Sequence, residues 1–347
     1  SGHPHVLRAA GFMLFTELEP AVLCPISMTY AVTPALRDNP AIYRDWAPKL
    51  TSRAYAPELK LWRDKPGVTM GMGMTEKQGG SDVRANTTQA APDGHDDWGA
   101  RYRLTGHKWF MSAPMCDAFL VLAQAKGGLS CFFLPRVLPD GTRNALRIQR
   151  LKDKLGNKAN ASSEVEFDDT IAWLVGAPGR GVPQILTIST MTRQDCALRS
   201  SALMRQATSQ ALHHTAQRAA FGKRLIEQPL MKNVLADLAL ESEAATALAL
   251  RLARAFDRQG DEQERLLARV QVRRQAQVAS RGHIGGDAVA DLEVHPQLVH
   301  GLGHLRQRGQ WIDQLGRCGG RRRPRDAPTS GDNRTAERLL VDDQHVG

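Results

Sequence analysis

The chain has 347 residues, of which 42% are apolar, so it is long enough for two or three domains with substantial hydrophobic cores. It contains no run of about 18 apolar residues, which argues against a membrane-spanning helix. The formal net charge of +10 favours contact with a polyanion, either nucleic acid or a phosphate-rich cofactor, although a solvated basic surface explains it equally well.

The start of the chain and its cysteines bear on where the protein works. The apolar stretch 6–26 is interrupted by Arg8, Glu17 and Glu19, which indicates an amphipathic helix rather than a signal peptide. The five cysteines are scattered and form no C-x-x-C pair, which argues against a disulfide framework or a zinc site. These features predict a protein of the reducing cytoplasm.

Three predicted regions follow one another along the chain. Residues 1–66 predict an N-terminal helical domain interrupted by prolines. Residues 67–175 contain short strand-like runs separated by turn signals and predict a β domain of barrel type. Residues 176–270 have a helical apolar period and predict a C-terminal helical domain. The spacing of Leu230, Val234, Leu235, Leu238, Ala245, Leu248 and Leu252 places them on one helix face.

The composition changes after the helical domain. Residues 271–347 contain twelve arginines, no lysine and a single aromatic residue, Trp311, so we expect an Arg/Gly-rich tail that is largely disordered. Its basic run at 321–325 is more typical of a solvated tail than of a nucleic-acid site. Five histidines also lie here, and their spacing does not favour a metal site: His283, His295, His300, His304 and His345.

The stretch "GMGMTEKQGGSDV", residues 71–83, has no amphipathic period and is rich in glycine. It lacks the G-K-[ST] of a P-loop and the G-x-G-x-x-G spacing of a dinucleotide-binding fold. One interpretation is a glycine-rich β-turn. The other is a backbone that comes within hydrogen-bonding distance of a flat ring or a phosphate.

Four ordered motifs resemble those of the acyl-CoA dehydrogenase family, and most of all its AidB-like branch of adaptive-response flavoproteins. They are "MTEKQGGSDV", "LTGHKWFMS", "LKDKLGNKANASSEVEFDD" and "QRAAFGKRLIEQPLMK". The resemblance covers roughly residues 5–270. It implies an α+β fold with an N-terminal helical domain, a middle β-barrel and a C-terminal helical bundle, here incomplete. It also implies FAD as cofactor and an acyl-CoA-like substrate.

The resemblance assigns residues to the flavin. Thr75 would meet the pyrimidine side, Ser81 would hydrogen-bond the pyrophosphate, and Ser112 stands where the family has a hydroxyl donor near flavin N5. The glycine-rich loop would lie beside the ring, and the second motif would line its other side. The implied residues on these two segments are Met72, Gly73, Met74, Thr75, Gly80, Ser81, Trp109, Phe110, Met111 and Ser112.

A second group would reach the FAD that a neighbouring subunit holds. Arg218, Phe221 and Gln228 match the R-x-x-F-G…Q element of the family. A guanidinium suits a pyrophosphate because its fork donates two charge-assisted hydrogen bonds. This assignment implies a homo-oligomer, either a dimer or a tetramer.

The residues expected to take the substrate proton are missing. The family uses a glutamate base, in most branches within a Glu-Gly pair, and this sequence has no Glu-Gly pair. The alternative position of another branch is occupied by Thr192, and nearby Asp195 would lie on a different helix face. His213 and His214 point about 100° apart on a helix and would not share a metal.

The sequence therefore predicts an FAD-binding oxidoreductase acting on CH–CH groups, with no catalytic residue identified and turnover in doubt. The alternatives are a non-catalytic flavoprotein in DNA protection or the alkylation response, and an inactive fragment. DNA is a weaker expectation as partner than the acyl-CoA-like substrate.

Overall fold

The computed structural model describes residues 2–155, 157–258, 261–264 and 266. The predicted tail 271–347, with its histidines, basic run and Cys318, lies outside these described residues. The described chain runs from three helices through a seven-stranded sheet to two long helices. None of the described helices is long and apolar enough to cross a membrane.

The N-terminal region consists of α1 (Pro4–Leu18), α2 (Leu23–Ala35) and α3 (Pro40–Leu50). The single helix predicted over 6–26 is wrong, because the chain forms two helices there. Glu19 adopts an extended conformation (φ −152°, ψ 91°), since the following Pro20 disfavours helical geometry in the residue before it.

The middle of the chain forms a closed barrel, as predicted. The strands are β1 (Met70–Gly73), β2 (Gln89–Asp96), β3 (Gly99–Ser112), β4 (Ala118–Ala125), β5 (Gly128–Pro135), β6 (Leu146–Leu151) and β7 (Ser162–Val175). Strand β3 pairs with β2 on one side and with β7 on the other, and the barrel closes through β4 and β5. The first strand, β1, pairs with β3 and β4, and β6 extends the sheet beyond β7.

Strands β4 and β5 are buried on both faces, which explains why they appear in the sequence as continuous apolar runs. On one face, Phe119 and Phe132 belong to a core with the interior residues of β3 and β7. On the other face, Leu120 and Phe133 pack against helical residues. The ring of Trp46, on α3, lies 4.9 Å from the Phe133 ring in an edge-to-face contact, and so joins the helices to the barrel.

The C-terminal helices are α4 (Gly181–Gln217) and α5 (Pro229–Asp257), joined through a two-stranded hairpin, β8 (Ala219–Ala220) and β9 (Lys223–Arg224). The apolar face predicted for α5 is covered only in part. Leu235 and Leu252 are buried, whereas the side chains of Leu230, Val234, Leu238 and Leu248 are exposed. Periodicity identifies an apolar face, but it does not say whether another element covers it.

The two ends of the described chain meet. The backbone N–H groups of His5 and Val6, at the start of α1, donate to the carboxylate of Asp257 at 2.8 and 3.1 Å. Asp257 is the last residue of α5, and its negative charge suits the positive end of the α1 dipole. Phe12 and Met13 of α1 are buried with residues of α4 and α5.

Candidate functional site

The glycine-rich segment begins as β1 and is held between two barrel strands. Gly73 pairs with Met111 of β3, and Met70–Gly73 runs parallel to β4. A Cβ on Gly71 would come within 2.8 Å of the Phe119 ring, so this glycine is required by packing against the barrel core. Part of the glycine signal is therefore structural.

Thr75 joins the two motifs that the sequence assigned to the flavin. Its carbonyl oxygen accepts hydrogen bonds from the backbone N–H groups of Trp109 at 2.8 Å and Phe110 at 3.4 Å. Thr75 is half-buried, and its hydroxyl lies beside Gly80, where a Cβ would be 3.1 Å from Oγ1. The loop thus folds back on itself, and Gly80 and Ser81 are exposed at its tip.

A buried ion pair anchors this loop, and sequence reasoning missed it. Lys108 Nζ donates to Glu76 Oε1 at 2.6 Å, and both side chains are fully buried. Thr87 and Thr88 donate four more hydrogen bonds to the same carboxylate, two from backbone N–H groups and two from hydroxyls. The signal available in the sequence was one charged residue within each of the first two motifs, but their pairing depends on how the loop lies against β3.

The hydrogen bonds decide the protonation state of this carboxylate. Burial would raise the pKa of Glu76, but the bonds from Lys108, Thr88 and Thr87 outweigh burial and lower the pKa to about 2. Burial lowers the pKa of Lys108, and the carboxylate beside it opposes that effect. The loop is therefore tied to β3 by a pair of charges that have no contact with solvent.

Two aromatic side chains at the end of β3 stand next to basic residues. Phe110 is 41% exposed and Trp109 is half-buried. The ammonium of Lys152 lies 3.6 Å from the Trp109 ring centroid and 4.6 Å from that of Phe110, within cation–π range. Glu164 holds Lys152 by an ion pair of 2.8 Å. Sequence reasoning did not identify Lys152 or Glu164.

Met111 and Ser112 complete the set of residues predicted to lie beside the flavin, and they differ in accessibility. The Met111 side chain is fully buried in the barrel core, so its contribution to a surface site is limited to its backbone. Ser112 is half-buried, and its hydroxyl lies 3.2 Å from that of Ser162. Met72 is half-buried against the core, as is Met74.

Arg218, Phe221 and Gln228 form a second group, on the hairpin between α4 and α5. Gln228 Nε2 donates to the Ala220 carbonyl at 3.0 Å and braces the hairpin. Phe221 has a positive φ of 53° and is 98% exposed, an unusual combination for an aromatic residue. Arg218 is exposed at the end of α4.

The acid–base candidates in α4 are engaged in structural contacts. Thr192 Oγ1 donates to the Ser189 carbonyl of its own helix at 3.2 Å. Asp195 is buried and accepts two hydrogen bonds of 2.7 Å from the Arg8 guanidinium and one of 2.5 Å from Ser27. Asp195 therefore joins α4 to the N-terminal helices.

The two adjacent histidines of α4 are both exposed. His213 Nε2 lies 2.9 Å from the side-chain nitrogen of Gln217, one helical turn away. Across the part of the chain that the structure describes, no group of three His, Cys, Asp or Glu side chains is suited to hold a metal ion.

Comparison with known families divides the chain as the structure does. Residues 1–57 match the N-terminal domain of the adaptive response protein AidB. Residues 71–170 match the acyl-CoA dehydrogenase middle domain, and residues 179–282 match the acyl-CoA dehydrogenase C-terminal domain. The barrel and the α4–hairpin–α5 unit thus fall within two domains of one family.

Individual proteins agree with the domain matches. The chain is 56% identical to the putative acyl-CoA dehydrogenase AidB of Escherichia coli K12 over 76% of its length and 48% of the relative. It is 32% identical to acyl-CoA dehydrogenase family member 11 of Caenorhabditis elegans, over 71% of this chain and 40% of the relative. The chain therefore spans about half the length of these curated relatives.

Solved structures show the same fold. The structure of Caenorhabditis elegans ACDH-11 in complex with C11-CoA superposes with a TM-score of 0.67 at 28% identity, covering 82% of this chain and 51% of that one. The Bd2924 apo-form gives a TM-score of 0.70 at 30% identity, covering 83% and 60%. The fold and the family predicted from the four motifs are confirmed, and the chain belongs to the acyl-CoA dehydrogenase family, with the N-terminal domain of its AidB branch.

Proposed function

We propose that the chain binds FAD along the edge formed by Thr75 and the end of β3, as an oxidoreductase of the acyl-CoA dehydrogenase type. The observation that carries the proposal is the pair of hydrogen bonds from Trp109 and Phe110 to the Thr75 carbonyl. Those bonds bring a glycine-rich loop, two hydroxyls and two partly accessible aromatic rings to one edge of the barrel.

The residues at this edge fit a flavin. An isoalloxazine ring needs apolar contacts on its faces and hydrogen-bond donors at its polar edge. Phe110 offers exposed aromatic surface, and Thr75 and Ser112 offer hydroxyls. The exposed backbone at Gly80 and Ser81 suits phosphate oxygens, because glycine lets N–H groups approach closely. When bound, FAD would supply a two-electron acceptor for CH–CH oxidation.

The residues at this edge have different roles in the proposal. Thr75 and Ser112 orient the ring by hydrogen bonds, and Phe110 excludes water from its face. Lys152 adds positive charge beside the aromatic pair without leaving its ion pair with Glu164. Thr75 keeps its position because the Glu76–Lys108 pair fixes the next residue of the loop.

The second group suits a contact between copies of the chain. Phe221 presents almost all of its surface to solvent in a strained backbone conformation, which is typical of a residue that another molecule covers. Arg218 lies on the same hairpin and is free to reach a pyrophosphate. We therefore propose a homo-oligomer in which Arg218, Phe221 and Gln228 complete a neighbour's FAD site.

The substrate we propose is an acyl-CoA-like thioester, with turnover limited by the base. Removal of an α-proton by a positioned base contributes typically about 10²- to 10⁴-fold in rate. Thr192 carries no carboxylate, and Asp195 is committed to Arg8 and Ser27. This chain should therefore bind such a thioester but remove its α-proton slowly.

An FAD titration tests the cofactor proposal. The purified full chain, stripped of any flavin, should gain flavin absorbance and about 2.7 kcal/mol of stability when free FAD reaches about 100 times its dissociation constant. Phe110→Ala should weaken binding, whereas Phe15→Ala, at a similarly exposed phenylalanine on α1, should not. A colourless protein with an unchanged melting temperature would contradict the proposal.

The shared site is tested on the hairpin. Arg218→Ala should weaken both FAD binding and self-association, measured by flavin titration and by analytical ultracentrifugation. Lys223→Ala removes a positive charge from the same hairpin and serves as the control. If Arg218→Ala keeps both properties, the arginine is a surface residue.

Anaerobic mixing with acyl-CoAs tests the missing base. Short, branched and long acyl-CoAs should bleach the flavin only at trace rates. Thr192→Glu should increase the rate, and Thr187→Glu, on the same helix but exposed, should not. Rapid bleaching in the unaltered protein would reveal a base that the described residues do not identify.

A further inference from the structure

A polar cluster of two buried residues and the half-buried Lys154 lies next to Ser112. Ser162, the first residue of β7, is 3% exposed, and its hydroxyl lies 3.2 Å from that of Ser112. Lys154 reaches back from the β6–β7 connection and donates to Ser162 Oγ at 3.1 Å. The same ammonium also donates to the backbone carbonyl of Asn160, which is buried as well. None of these three residues has a role in the site described above.

The donor and acceptor chemistry gives this chain of bonds a direction. An ammonium only donates, so Ser162 Oγ accepts from Lys154. The proton of Ser162 then needs an acceptor, and Ser112 Oγ is the one in reach among the described contacts. The reverse arrangement, with Ser112 donating, would leave a buried hydroxyl proton unpaired, which is costly.

The same direction leaves the proton of Ser112 for an acceptor outside the series. Once Ser112 Oγ accepts from Ser162, its own hydrogen has the Cys24 thiol within hydrogen-bonding reach, but sulfur accepts hydrogen bonds only weakly, so a flavin nitrogen at this edge would be the stronger acceptor. A positive charge at the start of the series strengthens each bond, because a hydrogen-bonded hydroxyl that is polarised by a cation becomes a better donor.

We propose that Lys154 and Ser162 are positioning residues that hold the Ser112 hydroxyl as a hydrogen-bond donor to the bound flavin. The inference rests on the proposed function, since it needs FAD at this edge. It deepens that function by specifying that the Ser112 hydroxyl donates, and does not accept, the hydrogen bond to the flavin. Neither residue touches the cofactor, and both act through Ser112.

A donor of fixed polarity has a measurable consequence for the flavin. Oxidised flavin accepts a hydrogen bond at N5, whereas the two-electron-reduced ring carries a hydrogen there. The donor therefore stabilises the oxidised ring relative to the reduced ring. Loss of the donor favours reduction, whereas loss of a nearby positive charge disfavours it, because the reduced ring is more negative. The two effects have opposite signs.

The experiment uses the FAD-reconstituted full chain in dye-equilibrated redox titrations. Ser162→Ala should raise the ratio of reduced to oxidised flavin at a fixed potential about tenfold, a shift of about 30 mV for a two-electron couple. Lys154→Met should raise the ratio in the same direction, and in the Ser162→Ala background it should add no further increase. Lys158→Met, an exposed charge on the same connection, is the matched control and should leave the ratio unchanged.

The outcomes separate the two proposals. An unaltered protein that binds no FAD overturns the proposed function and this inference with it. Flavin binding with an unchanged or lowered ratio in Ser162→Ala overturns the inference alone. A ratio lowered by Lys154→Met with Ser162 intact means that the ammonium acts only as a charge. Melting temperatures of the variants show whether each one folds, and Lys154→Met tests the series if Ser162→Ala does not.

Discussion

Replacing Lys108 by methionine leaves the Glu76 carboxylate buried without its cation. In the native protein the pKa of Glu76 is lowered from 4.5 to about 2. At 1.36 kcal/mol for each pH unit, this difference corresponds to about 3 kcal/mol of stability at neutral pH. Removal of one partner from a buried ion pair typically costs about 3–5 kcal/mol. The four hydrogen bonds from Thr87 and Thr88 remain, so we expect Lys108→Met to cost about 3 kcal/mol.

The pH dependence of the free energy of unfolding gives a second, independent test of this prediction. A carboxylate whose pKa is depressed in the folded state stabilises the protein above its unfolded pKa and loses this effect as pH falls toward about 2. In Lys108→Met the pKa of Glu76 rises, because burial is no longer offset by the ammonium. The loss of stability between pH 5 and pH 3 should therefore shrink or reverse in the variant.

Urea denaturation of the full chain, followed by tryptophan fluorescence from pH 3 to pH 7, measures both effects. Lys77→Met is the control, because Lys77 is exposed and follows Glu76 in the same loop. It should change the free energy of unfolding by less than about 0.5 kcal/mol. If Lys108→Met matches this control at pH 7, the buried pair does not hold the loop and the reasoning fails.

Three further changes test other parts of the fold. Gly106→Ala should cost more than about 1 kcal/mol in thermal unfolding, because φ is +147° and the new Cβ would lie 2.7 Å from the Cα of Thr88. Gly11→Ala, on the exposed face of α1, is the control and should stabilise the protein by up to about 1 kcal/mol. Asp195→Asn should cost about 2–3 kcal/mol in chemical denaturation through its lost ion pair, and unchanged stability would contradict that role. Phe221→Gly should relieve strain and raise the melting temperature without FAD, yet weaken FAD binding; unaltered affinity would count against the shared site.

The barrel could be predicted from the sequence because its information is local. Strands β4 and β5 are apolar runs bounded by turn residues, and each pairs with its neighbour across a short turn. The break between α1 and α2 also has a local signal in the sequence, Pro20, but the apolar run around this proline suggested a continuous helix.

Contacts between distant residues could not be predicted in this way. Glu76 and Lys108 are 32 residues apart, and their pairing depends on how the loop lies on β3. Lys154, Ser162 and Ser112 meet only because β7 pairs with β3 in one register. The motifs identified the segments that carry the candidate site, while its charges and hydrogen bonds required the structure.

The contact of α1 with the end of α5 has a consequence for synthesis on the ribosome. The start of α1 is completed by Asp257, which follows His5 by 252 residues, and its buried side chains pack on α4 and α5, which are also made long after α1. At about 5–20 residues per second, those partners appear roughly 10–50 seconds after α1 itself. A 15-residue helix is marginal on its own, so the nascent chain carries an unpaired apolar segment until α4 and α5 have been made. Chaperones that recognise emerging apolar segments therefore have a long interval in which to bind α1.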